Sequence, residues 1–523
     1  MLSRVLGLVR DQVVMGLFGA SIFLDAFFIA FRIPNLFREM LAEGALGSAF
    51  TKVYSEVRSE DRQKANQLLG QALYLAMLFA MLLSCLGFLL APYLVALMTT
   101  MAADGHQKVQ LVHQSVGLTR ILFPFLGIAI VGAIVSGALY ERGRFFLSAV
   151  APMSFNICYI LGAVLFSRWM EILAPQWWDD LVADPSLSGL AFGVLLGGLC
   201  QVGFQWRVVW QEWRDYQHSW RFPWSPDLKK VLVLMGPAAL AASTGPINLV
   251  VNTNFAAGVG EGAISWLVAA FRIVQLPVGV FGVAVGVAVL PDLTRAIRKG
   301  GGVESSTKKL LGDGVEFVFW LMAACTAFLI GAHQDVISLL FEHGKFEHED
   351  SRQTALALQA YAGALVGYGL LKVLNSFYYA VSRTKFAMYV AGACVLVNFT
   401  GNFFLVDEFG HVGLALTTTA TLTVNCCILL AGLRRYGMKD LYLKILKLLI
   451  ILGITCLSAY LAQKFCLMLW NSLNYGEFLG LKAKAAVGVM LGGSSTLVVF
   501  GVAVCLYFRQ WPLDAIKRLV GRS

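Results

Sequence analysis

Residues 21–51 combine a composition apolar enough for a bilayer with ionisable side chains that could bind a charged ligand. These side chains are Asp25, Arg32, Arg38, Glu39 and Glu43. A charge at membrane depth is energetically costly, so such residues are candidates for function. On an ideal helix at about 100° per residue, all of them except Arg38 share one face, which must contact protein or water rather than lipid. Pro34 predicts a kink that would turn Arg38 toward the same polar space.

The composition defines the class of protein that carries this segment. The 523 residues are 58% hydrophobic and 14% charged, with a mean hydropathy of +0.71. These values exclude a soluble globular protein and predict an all-α polytopic membrane protein. The net charge of +10 is explained by basic loops of a membrane protein, so no nucleic-acid partner is predicted. Most of the ten cysteines lie in apolar runs, which favours packing over disulfides or zinc, and no cleavable signal peptide is expected.

A window of about 20 residues predicts fourteen membrane-spanning helices. The predicted spans are 1–19, 21–50, 64–98, 113–139, 145–166, 188–208, 229–257, 263–293, 312–333, 355–381, 386–406, 411–433, 443–470 and 485–508. The loops after even-numbered spans are rich in lysine and arginine, whereas the others carry few basic residues. Basic loops face the cytoplasm, so these loops and both termini are predicted to be cytoplasmic.

The chain also contains an internal repeat at an offset of about 240 residues. Ala30-Phe31-Arg32-Ile33 recurs as Ala270-Phe271-Arg272-Ile273, and Arg142-Gly143-Arg144-Phe145 recurs as Arg383-Thr384-Lys385-Phe386. Six spans separate the copies, so they have the same orientation across the membrane. Two parallel six-helix lobes are therefore predicted, over 1–215 and 216–437, followed by an additional helix pair over 438–523 that faces lipid.

Paired lobes of this kind place a substrate site between them near the midplane of the membrane. The basic residues that could line it are Arg4, Arg10, Arg32, Arg38, Arg272 and Lys372. Guanidinium groups bind phosphate through two parallel hydrogen bonds and stay charged, so the set favours a multiply charged anion. The alternative for any single arginine is a buried ion pair, or a side chain that reaches a lipid headgroup.

Two other sets of residues allow both a functional and a structural interpretation. Gly279, Gly282 and Gly286 could form a hinge, although close helix packing is the favoured interpretation. Asparagines and threonines in spans 7, 11 and 12 supply oxygen ligands suited to sodium, but because no carboxylate is present, hydrogen bonds between helices are the favoured interpretation. The sequence has no nucleotide-binding or hydrolase motif, so it predicts a transporter rather than an enzyme.

Four segments resemble the MurJ (MviN) family of lipid II flippases, within the multidrug/oligosaccharidyl-lipid/polysaccharide (MOP) exporter superfamily. They are SRVLGLVRD (3–11), DAFFIAFRIPNLFREMLAEGA (25–45), SWLVAAFRIVQLPVGVFGVAVG (265–286) and FEHGKF (341–346). The resemblance implies fourteen helices in two lobes, a cationic cavity that opens alternately to each side, and a groove beside the last two helices for a polyprenyl tail. By comparison with the family, the first helix is expected to be short at its cytoplasmic end.

The resemblance also implies roles for individual residues. The essential arginines of the cavity correspond to Arg4, Arg10, Arg38 and Arg272, and their acidic partner corresponds to Asp25. Glu43 and Ser265 lie in matching motifs. A sodium site of some members corresponds to Asn252, Asn398, Asn402 and Thr418, with asparagine where carboxylates occur elsewhere. Phe271 and Gln275 stand where the family often has acidic residues beside the second-lobe arginine.

The function implied is translocation of undecaprenyl-diphosphate-MurNAc-pentapeptide-GlcNAc, lipid II, across the bacterial cytoplasmic (inner) membrane. The expected partners are lipid II, membrane lipids and the cell-wall synthesis machinery, with sodium as a candidate coupling ion and no other cofactor. One alternative is a cation-coupled exporter of drugs or polysaccharide precursors from the same superfamily. Another is a scaffold that holds a synthase without transporting anything.

Overall fold

The computed structural model describes residues 2–103, 105–213, 224–300, 302–472 and 480–508, and these residues form helices and turns without a β-strand. The chain divides into two compact units, Met1–Ser265 and Trp266–Ser523. The first unit contains α1 (Leu2–Phe18), α2 (Ile22–Phe37), α3 (Gly47–Glu60), α4 (Arg62–Met98), α5 (His106–Leu122), α6 (Pro124–Glu141), α7 (Phe145–Leu161), α8 (Ser167–Leu173), α9 (Pro185–Trp213), α10 (Pro226–Ala242) and α11 (Thr244–Val259).

Helix α12 (Ala263–Pro277) begins at the end of the first unit. The second unit continues with α13 (Val283–Gly300), α14 (Ser305–Phe341), α15 (His348–Ala362), α16 (Ala364–Ala380), α17 (Thr384–Gly432), α18 (Lys439–Ser472) and α19 (Leu481–Phe508). The unit boundary differs from the lobe boundary taken from the repeat, because α10 and α11 pack within the first unit. The lobe boundaries themselves stay a prediction.

The helical membrane fold is confirmed, although the number of spans is not. Among the described residues, nine helices are long and apolar enough to cross a membrane, or ten if the pair α15 and α16, bent by 43°, is one span. Breaks account for part of the difference. Helix α2 stops at Phe37, and α10 and α11 are separated at Ser243, so each piece is shorter than a full span. Within α17, Gly410 with φ of 55° separates the two predicted spans 386–406 and 411–433.

The predicted kink in span 2 takes the form of a π-helical segment. Helix α2 continues through Pro34, and the hydrogen bonding changes at Arg38, where the segment Arg38–Leu46 begins. The second unit has a π-helical segment at the equivalent place, Val278–Gly282, directly after Pro277. Segments of this kind are frequent at functional sites, and a further one at Gly162–Phe166 contains no candidate site residue. Their recurrence at the repeat offset supports the internal duplication.

Two contacts show how individual helices are held in their units. In the first unit Lys230 of α10 donates a hydrogen bond of 2.6 Å to Glu56 of α3, which lowers the pKa of the Glu56 carboxyl. In the second unit Lys444 of α18 lies 2.5 Å from Glu316 of α14, whose side chain is 7% exposed. The last two helices therefore pack on α14 while their outer faces remain apolar and exposed, as the sequence predicts for a lipid-facing pair.

Candidate functional site

Asp25 caps the first turn of α12. Its carboxylate is 2% exposed and accepts hydrogen bonds from the Gly262 N–H at 2.8 Å, the Ser265 N–H at 2.8 Å and the Ser265 hydroxyl at 2.6 Å. The carboxylate thus satisfies backbone donors that a helix start leaves without partners, and it interacts favourably with the helix dipole. Asp25 and Ser265 occupy equivalent positions of the repeat, so each repeat contributes one residue to this contact.

Replacing Asp25 with alanine is expected to destabilise the protein by about 2 kcal/mol, because two buried backbone donors lose their acceptor. The measurement is thermal unfolding of the purified protein in detergent. Asp25→Asn retains one acceptor oxygen and should lie between the alanine variant and the original. Equal unfolding midpoints for all three proteins would contradict the capping role.

Arg10 lies in a polar pocket between α1 and α7. Its guanidinium contacts the Asp11 carboxylate at 2.6 Å, the Asn156 side-chain oxygen at 3.1 Å and the face of the Tyr159 ring at 4.6 Å. Asn156 also donates to the Ser3 carbonyl at 3.2 Å, which holds the two helices together. The ion-pair interpretation of a buried arginine therefore applies to Arg10 in this conformation, and an incoming anion must compete with Asp11.

The other basic candidates of the first unit differ in their surroundings. Arg38, at the start of the π-helical segment, donates to Asn35 at 2.9 Å and lies 4.0 Å from Glu39. Arg4 is exposed on α1, where it can reach solvent or a ligand. Glu43 falls within the π-helical segment, but its side chain lies outside the described residues.

In the second unit, Arg272 is half-buried on α12 and donates to Gln275 at 3.2 Å. Phe271 packs its ring on Tyr361 and Tyr368, with ring centres 5.6 and 6.1 Å away. Lys372 is exposed on α16, and its backbone lies so close to Gly286 that a Cβ there would be 3.2 Å from the Lys372 carbonyl oxygen. Close packing is thus confirmed for Gly286.

Arg4, Arg10 and Arg38 belong to the first unit, whereas Arg272 and Lys372 belong to the second. Their convergence on one ligand stays a prediction.

Two of the four sodium candidates are joined by a hydrogen bond. Asn398 and Asn402 are fully buried on α17, and Asn402 donates to Asn398 at 3.2 Å. The Thr418 hydroxyl donates a hydrogen bond of 2.9 Å to the Leu414 carbonyl. Asn252 is buried on α11 in the first unit. Across the described residues, no three histidine, cysteine or carboxylate side chains cluster as metal ligands would. Sodium binding therefore stays a prediction.

Sequence reasoning missed two sets of contacts. It did not assign Asn156 and Tyr159 to Arg10, although their spacing of three residues places them on one helix face. It also missed Trp266, whose indole N–H donates to Asp350 at 3.0 Å and whose ring packs on His411 at 5.0 Å. No sequence signal connects these three residues, because they are far apart in the chain.

Comparisons with known proteins agree with this architecture. The family model described as "Lipid II flippase MurJ" matches residues 14–479. A probable lipid II flippase MurJ of Rhizobium meliloti is 32% identical over 528 residues, covering 100% of this chain and 94% of that protein. The lipid II flippase MurJ of Burkholderia cenocepacia is 31% identical over 440 residues, covering 84% of this chain and 82% of that protein.

Two solved structures are similar in fold. One, titled "Lipid II flippase MurJ, inward closed conformation", has a TM-score of 0.76 at 23% identity and covers 97% of both chains. The other, an inward-facing multidrug resistance MATE transporter of the MOP superfamily, has a TM-score of 0.64 at 16% identity, covering 84% of this chain and 95% of that one. The family match extends over most of the chain and includes the capping aspartate, the two π-helical segments described above, Arg38 and Arg272, whereas Arg4 and Arg10 precede the matched residues. The chain belongs to the MurJ family of lipid II flippases.

Proposed function

We propose that this protein moves lipid II from the inner to the outer leaflet of the bacterial cytoplasmic membrane. The observation that carries the proposal is the family match over residues 14–479, together with relatives at 31% and 32% identity that are named as lipid II flippases. The placement of arginines and an aspartate within apolar helices supports it, because a lipid-linked diphosphate needs cationic ligands at membrane depth.

In this mechanism the diphosphate binds the guanidinium groups of Arg4, Arg10, Arg38 and Arg272, and the sugar-pentapeptide occupies hydrated space beside them. The polyprenyl tail stays in lipid along α18 and α19. Access to the two sides alternates, so that the substrate enters from the cytoplasmic side and leaves from the outer one. Both termini are cytoplasmic in this arrangement.

The Asp25–Ser265 contact suits a closure that opens and re-forms during transport. Its hydrogen bonds join the start of α12 to α2, and both partners are short polar side chains rather than interlocked apolar groups. Hydrogen bonds to a charged group contribute about 1.5–3 kcal/mol each, so the contact stabilises the closed arrangement until water replaces it.

The test is reconstitution of the purified protein into vesicles with fluorescent lipid II in the inner leaflet. Appearance of the label in the outer leaflet, with this protein alone, is the expected result. Vesicles in which the label stays inside would favour a scaffold that holds a synthase. Export of cationic drugs without lipid II movement would favour the exporter alternative, although an arginine-rich site repels such compounds.

A further inference from the structure

In the first unit, an arginine near the end of α3 is neutralised by a carboxylate at the end of α6. Arg58 of α3 lies 3.0 Å from the Glu141 carboxylate at the end of α6. Beside this ion pair, Tyr54 is fully buried and stacks on Phe50 with ring centres 5.1 Å apart. Two large aromatic side chains and an ion pair therefore occupy this place.

The second unit repeats the same framework with smaller side chains. At the offset of 240 residues, Arg298 of α13 is equivalent to Arg58, Thr294 to Tyr54, and Leu290 to Phe50. The arginine is retained, whereas the two aromatic residues that fill the space in the first unit are replaced.

The turns that follow α6 and α16 show which residues of these two helices are equivalent. The Gly143 N–H bonds to the Tyr140 carbonyl at 3.0 Å, and the Ser382 N–H bonds to the Tyr379 carbonyl at 3.0 Å. Both Gly143 and Ser382 have positive φ, 69° and 58°. This places Ser382 opposite Gly143 and therefore Ala380 opposite Glu141, two residues away from the pairing of Gly143 with Thr384 in the sequence repeat.

At this place the second unit has an open cavity of about 420 Å³, in which the Arg298 side chain is exposed. Its lining includes Leu290, Thr294, Arg298, Tyr379, Ala380 and Ser382. Since Ala380 stands where the first unit has Glu141, Arg298 lacks the carboxylate that neutralises Arg58. No ion pair or hydrogen bond joins the Arg298 side chain to another described residue. Arg295, one turn earlier, lies 3.5 Å from Asp292 and does not line the cavity.

The backbone conformation of Ser382 is a second observation that favours a ligand in this cavity. Within the described part of the chain it is the one non-glycine residue with positive φ. That conformation is disfavoured for a residue with a Cβ, and glycine occupies it in the first unit. The serine places a hydroxyl group in the lining of the cavity at the expense of local backbone strain, which is typical of functional positions.

The position of the cavity indicates the kind of anion. Arg298 lies five residues beyond the predicted apolar span 263–293, where its long side chain can reach the level of lipid headgroups. Tyr379 is 55% exposed, as is common for aromatic residues at the membrane interface. Leu290 lies one helical turn deeper than Thr294, so the lining changes from polar to apolar with depth. A ligand with a charged headgroup and a hydrocarbon chain fits a lining that is polar at the membrane surface and apolar below it.

We propose that this cavity binds the phosphate of an anionic phospholipid, which provides at Arg298 the negative charge that Glu141 provides at Arg58. The Arg298 guanidinium and the hydroxyl groups of Tyr379 and Ser382 are the donors, and the glycerol and upper acyl chain lie against Leu290. Basic pockets of this kind on the cytoplasmic side of helices are known receptors for anionic headgroups. The lipid is a bound regulator or structural partner, distinct from the transported substrate.

The experiment titrates the purified full-length protein in neutral detergent with phosphatidylglycerol, phosphatidylcholine or glycerol 1-phosphate. Bound lipid is counted by native mass spectrometry, and the unfolding midpoint is recorded in parallel. Phosphatidylglycerol should bind and raise the midpoint, whereas the other two should do so weakly. Equal binding of phosphatidylcholine would overturn the charge argument, and full competition by glycerol 1-phosphate would assign the site to a soluble phosphate instead.

Three variants locate the binding. Arg298→Gln should weaken phosphatidylglycerol binding about tenfold, the loss expected for one charge-assisted contact. Ala380→Glu should weaken it as much and also raise the unfolding midpoint without lipid, because it restores the ion pair of the first unit. Arg295→Gln is the matched control and should bind normally. Unchanged binding in Arg298→Gln, or an equal loss in the control, would overturn the proposal even if Ala380→Glu failed to fold.

Discussion

Replacing Arg272 with alanine is expected to abolish lipid II flipping while leaving the fold intact. In the proposed mechanism its guanidinium is the contribution of the second unit to diphosphate binding. The guanidinium donates a hydrogen bond of 3.2 Å to the neutral Gln275 amide, a weaker acceptor than a phosphate oxygen. A charge-assisted contact to diphosphate in a low-dielectric site contributes far more to binding than such a bond does to stability. The measurement is growth of a strain depleted of its own flippase and supplied with the variant.

Two further variants separate charge from geometry. Arg272→Lys keeps the positive charge but loses the planar fork, so partial rescue is expected. Arg295→Ala removes an exposed arginine of α13 that is paired with Asp292, and it should rescue fully. Normal growth with Arg272→Ala, at an expression level equal to that of the original, would remove this residue from the substrate site.

The helical membrane fold could be predicted from the sequence because it depends on local composition. Apolar length and basic loops need no knowledge of tertiary contacts. The number of spans was harder, since helices such as α2 and α10 are interrupted at places that hydropathy does not detect. Pro34 predicted a break in the right segment, but the hydrogen bonding changes four residues later, at Arg38. A proline inside a helix disturbs the preceding turn, whereas the π-helical segment reflects packing that local sequence does not encode.

The sequence was sufficient to predict which residues belong to the candidate site, but not which residues they contact. Asp25 was identified because a carboxylate in an apolar segment is conspicuous, yet its partners Gly262 and Ser265 lie about 240 residues away. The repeat contains this information, since residues 25 and 265 are equivalent, but equivalence does not predict contact. For Arg10 the neighbouring Asp11 was visible in the sequence, and the structure shows that this carboxylate neutralises it. Partner choice depends on tertiary packing, which composition cannot supply.

Collapse of the membrane potential is expected to stop flipping, whereas collapse of the sodium gradient is not. No nucleotide-binding motif is present in the sequence, so an ion gradient, the potential or substrate flux must reset the empty cavity. The candidate sodium ligands Asn398 and Asn402 are neutral and already joined by a hydrogen bond of 3.2 Å. Neutral amides without a carboxylate hold a monovalent cation weakly, because nothing compensates for the lost hydration of the ion.

The potential, in contrast, acts directly on the arginines of the proposed site. One elementary charge moved through 100 mV gains or loses about 2.3 kcal/mol. A bound diphosphate, with about two to three negative charges, largely cancels the guanidinium groups, so the loaded cavity responds weakly to the field. The empty cavity is positive, and an inside-negative potential draws it back toward the cytoplasmic side. The test follows outer-leaflet lipid II in vesicles while valinomycin with potassium, or a sodium ionophore under a clamped potential, removes one gradient at a time. Transport that stops only when the sodium gradient is removed would show that sodium, and not the potential, resets the protein.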